Sequence, residues 1–389
     1  MEQRNFLREN TNYFVAMSVG MILFSSHAGG GFASGNQANT YFVSLGWPGM
    51  LSALLAMFIL TRAMREAMYM YNSQNLSSYK ELFQTLYSPF DKLSVLFDVF
   101  FYIMVIMAIA ATISGAASAL QEYFPLHYGV YVGIVGGIVL LFTVFGSDMV
   151  RKVSTILGIM ILVSAMSIYI IGVFKGPNLS EVLAFDKMTN GYKMVPKAIL
   201  HGFTYAGFQC VTLPTMIVCG KVLKNRKEVG AAMDFSFLFN ALGLVLSVAM
   251  LTSWHGIYTN LENGTTLPTL MVTKEIGLEI LSFFYGFSLI LCSISTGVTI
   301  TFGFVSRFEN MKTLSSVKSV VARRAILVIF IIALSMIISM LGLTNIIKYG
   351  YGYCGYLAIG AIILPLLTVG AYKNRAYRRE KLQPIKDSI

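Results

Sequence analysis

An all-helical membrane protein of ten spans is the fold class this sequence predicts, on three observations. Hydrophobic residues fill 56% of the 389 positions and charged residues only 12%, too few charges to solvate a soluble surface around so much apolar volume. Apolar stretches of roughly 20 residues, the length that crosses a bilayer as a helix, recur along the whole chain. Lysine and arginine gather in the loops on one side of the implied membrane.

In chain order the ten predicted spans cover 13–44, 47–71, 91–120, 127–145, 149–173, 194–221, 227–253, 278–307, 322–341 and 344–371. Several exceed the bilayer thickness, so tilt or a break is expected in them. NSQNLSSYKELFQTLYSP, after span two, reads as an interfacial segment. PNLSEVLAFDKMTNGY, before span six, and LPTLMVTKEIG, before span eight, read as loops holding short helices.

The lysine and arginine distribution orients the chain. With the N-terminus cytoplasmic, Arg4, Arg8, Arg62, Arg65, Lys80, Arg151, Lys152, Lys221, Arg226, Arg307, Arg323, Arg324 and the tail KNRAYRREKLQPIK share one side. Lys175, Lys187, Lys193, Lys197 and Lys274 are left on the other. Both termini are therefore expected in the cytoplasm, with the cell membrane as the location. Met1 to Asn12 is polar and of mixed charge, and no small-residue cleavage site follows the first apolar run, so span one is expected to stay in place. The net charge of +11 has no basic stretch with stacking aromatics beside it, which argues against nucleic acid as a partner. Cys210, Cys219, Cys292 and Cys354 lie in apolar segments without ligand spacing and read as packing residues.

Five spans per half is the arithmetic of an inverted repeat, because an odd number of crossings turns the second half over. The predicted organisation is a cytoplasmic segment 1–12, a first five-helix repeat 13–173, an extracellular loop 174–193, a second repeat 194–372 and a basic tail 373–389. The first span of each half is also the interrupted one. HAGGGFASGN, from His27, breaks span one, and HGFTYAGFQCVTLP, from His201 to Pro214, breaks span six. Paired interruptions at matching positions point to a transporter site, since a broken helix frees backbone groups near the midplane. Such backbone is tolerated only where protein or water satisfies it. Close helix packing is the competing reason for glycine here, and Gly31 with Gly35 forms a GxxxG pair.

GGGFASGNQ resembles the GAGFASGQE signature of the YkvI-type permease family, a branch of the amino acid–polyamine–organocation superfamily, and the ten-span plan covers nearly the whole chain. Asn36-Gln37 stands where that signature ends in glutamine-glutamate, one acidic group fewer. The resemblance implies the LeuT-type fold, a 5+5 inverted repeat in which spans one and six are broken, spans three and eight complete the site, and a four-helix bundle moves against a scaffold. CSISTGVT in span eight is similar to the sodium-binding stretch of LeuT-like carriers, which implies hydroxyls from Ser295 and Thr296 and the carbonyl of Cys292. Ser26 and Gly29, at the unwound start of the break, are the candidates to complete an all-oxygen shell of the kind a hard cation takes. Helical Ser and Thr also bond back to their own turn, the structural alternative.

Protons are the competing coupling ion. His27, His201, Asp98, Asp234 and Lys348 are the ionisable groups inside spans, functional suspects because of their insertion cost. Asp98 and Asp234 sit near span ends, where pairing with Arg or Lys is expected. Lys152, at the start of span five, reads as a cytoplasmic anchor, the alternative being the amine that takes the place of sodium in some proton-coupled relatives. His27 and His201 each precede a break, as a brace for unwound backbone or as a proton site.

The predicted solute pocket combines His27, Gly29, Gly30, Gly31 and Ser34 of span one with Tyr205 and Gln209 of span six. The half-helix starting between Gly30 and Ser34 offers N–H groups and a positive end to a carboxylate. Met107, Ala111 and Ser114 of span three, Ser288 of span eight and Tyr353 of the span-ten run KYGYGYCGY complete it. That run fits an extracellular gate or an interfacial tyrosine belt.

The expected function is secondary active transport of an amino acid or related zwitterion, coupled to sodium, with no enzymatic cofactor and with the lipid bilayer as surroundings of a monomer or homodimer. The alternatives are a proton-coupled or uncoupled carrier of an organic amine or quaternary ammonium compound, for which Tyr205, Phe203 and Phe208 offer an aromatic cage, and then a channel. No HExxH, GxSxG or paired-aspartate pattern appears, which argues against an enzyme.

Overall fold

The structure, a computed structural model, describes residues 11–27, 30–145, 160, 163–308, 317 and 319–386. Among them there are helices and turns and no strand. Six helical stretches are long and apolar enough to cross a membrane: Asp91–Gln121, Val195–Val222, Arg226–Tyr258, Glu279–Val305, Val321–Ser339 and Leu343–Glu380. Shorter apolar helices lie at Tyr13–Phe24, Tyr128–Val144 and Val163–Lys175. The protein is thus a multi-pass, all-helical membrane protein.

Span one is built in pieces: α1 (Tyr13–His27), then α2 (Gly30–Ala33) and α3 (Asn36–Tyr41), with a 3-10 turn at Val43–Leu45. The half-helix expected to run on from Gly30 is interrupted again at Ser34 and Gly35. Gly35 has φ +80°, a left-handed backbone, and a Cβ there would run into Thr269 Oγ1. Both the turn and the close approach require glycine. The side chain of Ser34 folds back, donating to Gly31 O at 3.0 Å and accepting from Asn36 N at 3.2 Å.

Span two is α4 (Gly49–Ser73). It is not among the six because Arg62, Arg65 and Glu66 fall within it. The expected interfacial segment contains α5 (Tyr79–Tyr87), which starts on a capping arrangement: Ser78 Oγ accepts from Glu81 N, and Glu81 accepts from the N–H and hydroxyl of Ser77. Spans three and four follow as α6 (Val95–Gln121), entered through a 3-10 turn at Asp91–Ser94, and α7 (Tyr128–Phe145). Span five is described as α8 (Val163–Lys175); Arg151 and Lys152 lie outside the described residues.

The loop before span six holds α9 (Leu179–Asn190), capped by Asn178. Span six is α10 (Val195–Gln209), a 3-10 turn at Cys210–Thr212 and α11 (Leu213–Cys219). The interruption is therefore shorter than the expected 201–214. Pro214 has no N–H to give Cys210 O, and Leu213 N takes that carbonyl instead, which tightens the turn rather than unwinding it. Span seven is α12 (Arg226–Tyr258), capped by Asn225, and the loop helix before span eight is α13 (Pro268–Glu275). Span eight is α14 (Glu279–Phe308), and span nine is α15 (Val320–Ser339). Span ten alternates π turns at Ile346–Tyr351, Ile359–Ile363 and Leu366–Gly370 with α16 (Gly352–Ala358), and continues as α17 (Ala371–Lys386) where a basic tail was expected.

Two groups of helices pack internally. One is α1, α4, α10 and α12; the other is α6, α7, α14 and α15. Small residues set the closest crossings, as in membrane interiors generally. A Cβ on Gly20 would meet Ala232 O at 2.6 Å, where α1 crosses α12, and one on Gly207 would meet Gly355 O at 2.6 Å, where α10 crosses α16. The short α2 touches α6 and α14, so the interrupted span joins the two groups.

Gly35→Ala is expected to cost about 1–2 kcal/mol from left-handed backbone alone, with the Thr269 contact added. Gly137→Ala, in the interior of α7 with nothing within 4 Å of the new Cβ, should instead gain about 0.5–1 kcal/mol from the helix preference of alanine over glycine. Thermal unfolding of the two variants in detergent checks the contrast.

Candidate functional site

The interrupted part of span one meets span six and span seven in a buried chain of hydrogen bonds. His27, the last residue of α1, places Nδ1 2.7 Å from Asn240 Oδ1 on α12 and Nε2 2.7 Å from the Tyr205 hydroxyl on α10. Asn240 Nδ2 donates to Ser236 O at 2.8 Å, which turns the amide oxygen toward His27 and makes Nδ1–H the donor. In the neutral ring Nε2 is then an acceptor. The Tyr205 hydroxyl is also 2.9 Å from Gln37 Oε1, and Gln209 Nε2 donates to that same Gln37 oxygen at 3.4 Å. Tyr205 therefore has one proton and two acceptors within reach.

Aromatic rings wall this chain. Tyr205 lies 4.9 Å from Phe42, 4.7 Å from Phe208 and 5.8 Å from Tyr41 between ring centroids, and Phe208 lies 5.2 Å from Tyr351. Phe32 stacks at a tilt on His27 at 4.7 Å. His27, Tyr205, Gln37 and Gln209 are all buried. They are uncharged hydrogen-bonding groups in an aromatic setting, suited to orienting a polar solute through neutral contacts.

The face opposite the basic one is closed over the break. Asn36 Nδ2 lies 3.0 Å from both Thr265 O and Thr266 O and 2.8 Å from Thr344 Oγ1. Tyr41 donates to Ile347 O at 2.8 Å, Tyr258 to Asn39 Oδ1 at 2.6 Å, and Thr269 N to Ser34 O at 3.2 Å. The Tyr285 hydroxyl donates to Ala33 O. Lys274 pairs with Glu122 at 2.6 Å, fastening the loop before span eight to the end of α6.

Of the predicted pocket residues, His27, Tyr205 and Gln209 are brought together. Gly30 and Gly31 start α2, and Gly31 lies against the Gln37 amide, where a Cβ would stand 2.6 Å from Nε2. Ser34 is turned onto its own backbone. Gly29 lies outside the described residues. Ala111 and Ser288 are buried on α6 and α14, and Met107 packs under Gly350 of span ten. Ser114 instead bonds the Tyr128 hydroxyl at 2.6 Å, within the other helix group. Tyr353 is 68% exposed and is not joined to this cluster; Tyr351, 6% exposed, is the span-ten tyrosine that is. Residues two apart on a helix point roughly 200° apart, so alternate tyrosines of the run face opposite ways. Among the candidate sodium ligands, Cys292 and Ser295 are buried on α14, Thr296 is half-buried and Ser26 is exposed.

His201 braces the end of α3, one of its two expected roles, its Nδ1 lying 2.8 Å from Tyr41 O. Asp234 pairs with Arg62 at 3.2 Å, the arrangement expected near a span end, and Asp98 accepts from the Tyr79 hydroxyl at 3.1 Å. Lys348 lies over the Tyr349 ring at 5.2 Å. Sequence reasoning missed Asn240, Gln37 as a partner of Tyr205, Thr269 and Tyr285. Asn240 had a readable signal, an amide in the middle of an apolar span; the partners of Thr269 and Tyr285 are backbone carbonyls, which leave no mark in sequence.

No family model matches the chain, and no curated protein does either. Solved structures do. A Na+-coupled sialic acid symporter, in a substrate-bound outward-open state, aligns at TM-score 0.60 with 16% identity, over 91% of this chain and 79% of that one. The Eremococcus coleocola manganese transporter, in complex with an aromatic bis-isothiourea compound, aligns at TM-score 0.52 with 17% identity, over 92% and 80%. At these identities the likeness is one of fold, and the fold is the LeuT type.

His27 couples Asn240 to Tyr205 without the two touching. The pair Asn240→Leu and Tyr205→Phe is therefore expected to be non-additive in unfolding free energy by about 0.5–3 kcal/mol. Each single variant strands a buried acceptor or donor at about 1–3 kcal/mol. A double-mutant cycle on thermal or denaturant unfolding measures the coupling.

Proposed function

We propose that this protein is a secondary active transporter of a small organic solute, an amino acid or related zwitterion, working by alternating access with sodium as the coupling ion. The observation that carries the reading is the His27, Tyr205, Gln37, Gln209 and Asn240 chain. It lies at the interruption of span one and joins spans one, six and seven, where a bound solute would draw those spans together. Support comes also from the LeuT-type fold, which a Na+-coupled symporter and a manganese transporter share with this chain. The GGGFASGNQ stretch supports placement in the YkvI-type branch.

On this reading the ten spans form two inverted five-span repeats, the basic face is cytoplasmic in the cell membrane, and the structure is the outwardly closed member of the cycle. The hydroxyls of Ser295 and Thr296 and the carbonyl of Cys292, with Ser26 and Gly29 from span one, would hold sodium as cargo. Solute contacts would come from Tyr205, Gln209, His27 and the turn at Gly30, Gly31 and Ser34, with Met107, Ala111 and Ser288 lining the far wall; Tyr353 is replaced by Tyr351 in this role. A divalent metal as solute is disfavoured, because no group of three or more His, Cys, Asp or Glu able to hold one occurs among the described residues. The aromatic rings around Tyr205 favour one second reading, an organic or quaternary amine as solute, with protons as the alternative coupling ion.

Proteoliposome uptake tests this. Concentrative accumulation of a radiolabelled amino acid is expected under an inward sodium gradient and not under potassium. The Ser295→Ala, Thr296→Ala double variant should lose sodium dependence, and Tyr205→Phe should raise the half-saturating solute concentration about tenfold, the effect of about 1.4 kcal/mol. Passive flux without saturation would sink the carrier reading, and unchanged sodium dependence in the double variant would sink the ion site.

A further inference from the structure

A cavity of about 390 Å³ opens on the face opposite the basic one, between the loop after α3, helix α9 and the end of α12. Its size falls in the range of small-molecule sites, roughly 300–1,000 Å³. Val43, Val182, Leu183 and Trp47 line it on the apolar side, and Asp186 and Ser44 are among its polar lining residues.

Asp186 has a structural duty. Its carboxylate accepts from Trp47 N at 2.7 Å and from Asn190 Nδ2 at 2.8 Å, and it fills the space beside Gly46, whose φ is +72°. That duty uses two neutral donors and leaves half of the carboxylate lone pairs over. No described cation lies within 4 Å of it, since Lys187, the next residue, turns its Nζ over the Trp47 and Tyr192 rings at 5.2 and 5.6 Å. Ser44 Oγ donates to Thr40 O at 2.8 Å and keeps its own lone pairs. A capping role for Asp186 accounts for the loop, but not for the carboxylate lone pairs left over or the apolar wall beside them.

We propose that this cavity binds a small primary amine, its ammonium held by the Asp186 carboxylate with Ser44 and its apolar body against Val43, Val182, Leu183 and Trp47. An ammonium supplies three donors and one positive charge, the complement of what the cavity presents. A divalent metal fits less well, since Asp186 and His255 are the only two strong ligands among the lining residues. The site is separate from the buried chain around His27 and does not depend on what the protein carries.

The chain has two tryptophans, Trp47 and Trp254, so the emission of Trp47 is obtained by subtracting that of Trp47→Phe from that of the unaltered protein. Full-length protein in detergent is titrated with 3-methylbutylammonium and, separately, with 4-methylpentanoate. A saturable change in Trp47 emission with the amine and none with the carboxylate is expected. Asp186→Asn keeps an acceptor for Trp47 N and should raise the half-saturating amine concentration at least tenfold, and Tyr205→Phe should leave it unchanged. The proposal is overturned by no saturable change, by an equal response to the carboxylate, by unchanged titration in Asp186→Asn, or by loss of the signal in Tyr205→Phe.

Discussion

Inside a bilayer every backbone group that a broken helix releases must find a partner within the protein, and the rest of this structure is arranged around that demand at one turn. Four successive carbonyls at the interruption of span one are each taken. Gly31 O accepts the Ser34 hydroxyl, Phe32 O accepts Gly35 N, Ala33 O accepts the Tyr285 hydroxyl and Ser34 O accepts Thr269 N. Two of these partners are local and two come from α13 and α14, far along the chain. Since an orphaned group costs about 1–3 kcal/mol and water is absent from the bilayer core, the turn is stable only while the loop before span eight and span eight itself lie against it. The break is in this way tied to the position of α13 and α14.

The same demand explains the polarity of the buried chain next to it. His27, Tyr205, Gln37, Gln209 and Asn240 pair with one another and need no counter-ion, so they are tolerated where an unpaired charge would be costly. The Tyr205 hydroxyl has two acceptors within reach, His27 Nε2 at 2.7 Å and Gln37 Oε1 at 2.9 Å. The ion pairs lie outside this chain, as Arg62 with Asp234 and Lys274 with Glu122.

The basic face is stitched by different means. Glu228 is 3% exposed and its carboxylate accepts from Asn12 N at 2.9 Å and Lys224 N at 2.7 Å, holding the start of α1 and the turn before α12 to one another. Asn374 and Tyr377 of α17 bond Glu66 and Ser73 of α4, and Lys373 caps the carbonyls of Thr85 and Ser88 at the end of α5. The helix beyond span ten thus binds span two to the segment that follows it. Composition reads this stretch as a solvated tail, yet Lys373, Asn374 and Tyr377 make structural contacts on one side of the helix while Arg375, Arg378 and Arg379 stay exposed on the other.

Counting and periodicity in the amino-acid sequence by themselves determined the membrane class and the helical nature of the predicted spans in their described parts. They also carried the short helices in two loops, the interruption at HAGGGFASGN and the shared face of Tyr205 and Gln209. These are local or additive properties, set by hydrophobicity, glycine content and the 3.6-residue turn. Tertiary structure alone decided the second turn at Gly35, the confinement of the span-six break to three residues before Pro214, and the exchange of Tyr353 for Tyr351 at the centre. It also decided that Gln37 and Asn240 belong with His27, although they are 10 and 213 positions away. Hydrogen-bond partners are chosen by distance in space, and backbone carbonyls, the acceptors for Tyr285, Thr269, Tyr41 and His201, are the same atom in every residue. No reading of side chains in order could distinguish the carbonyls that fold against a donor from those that do not.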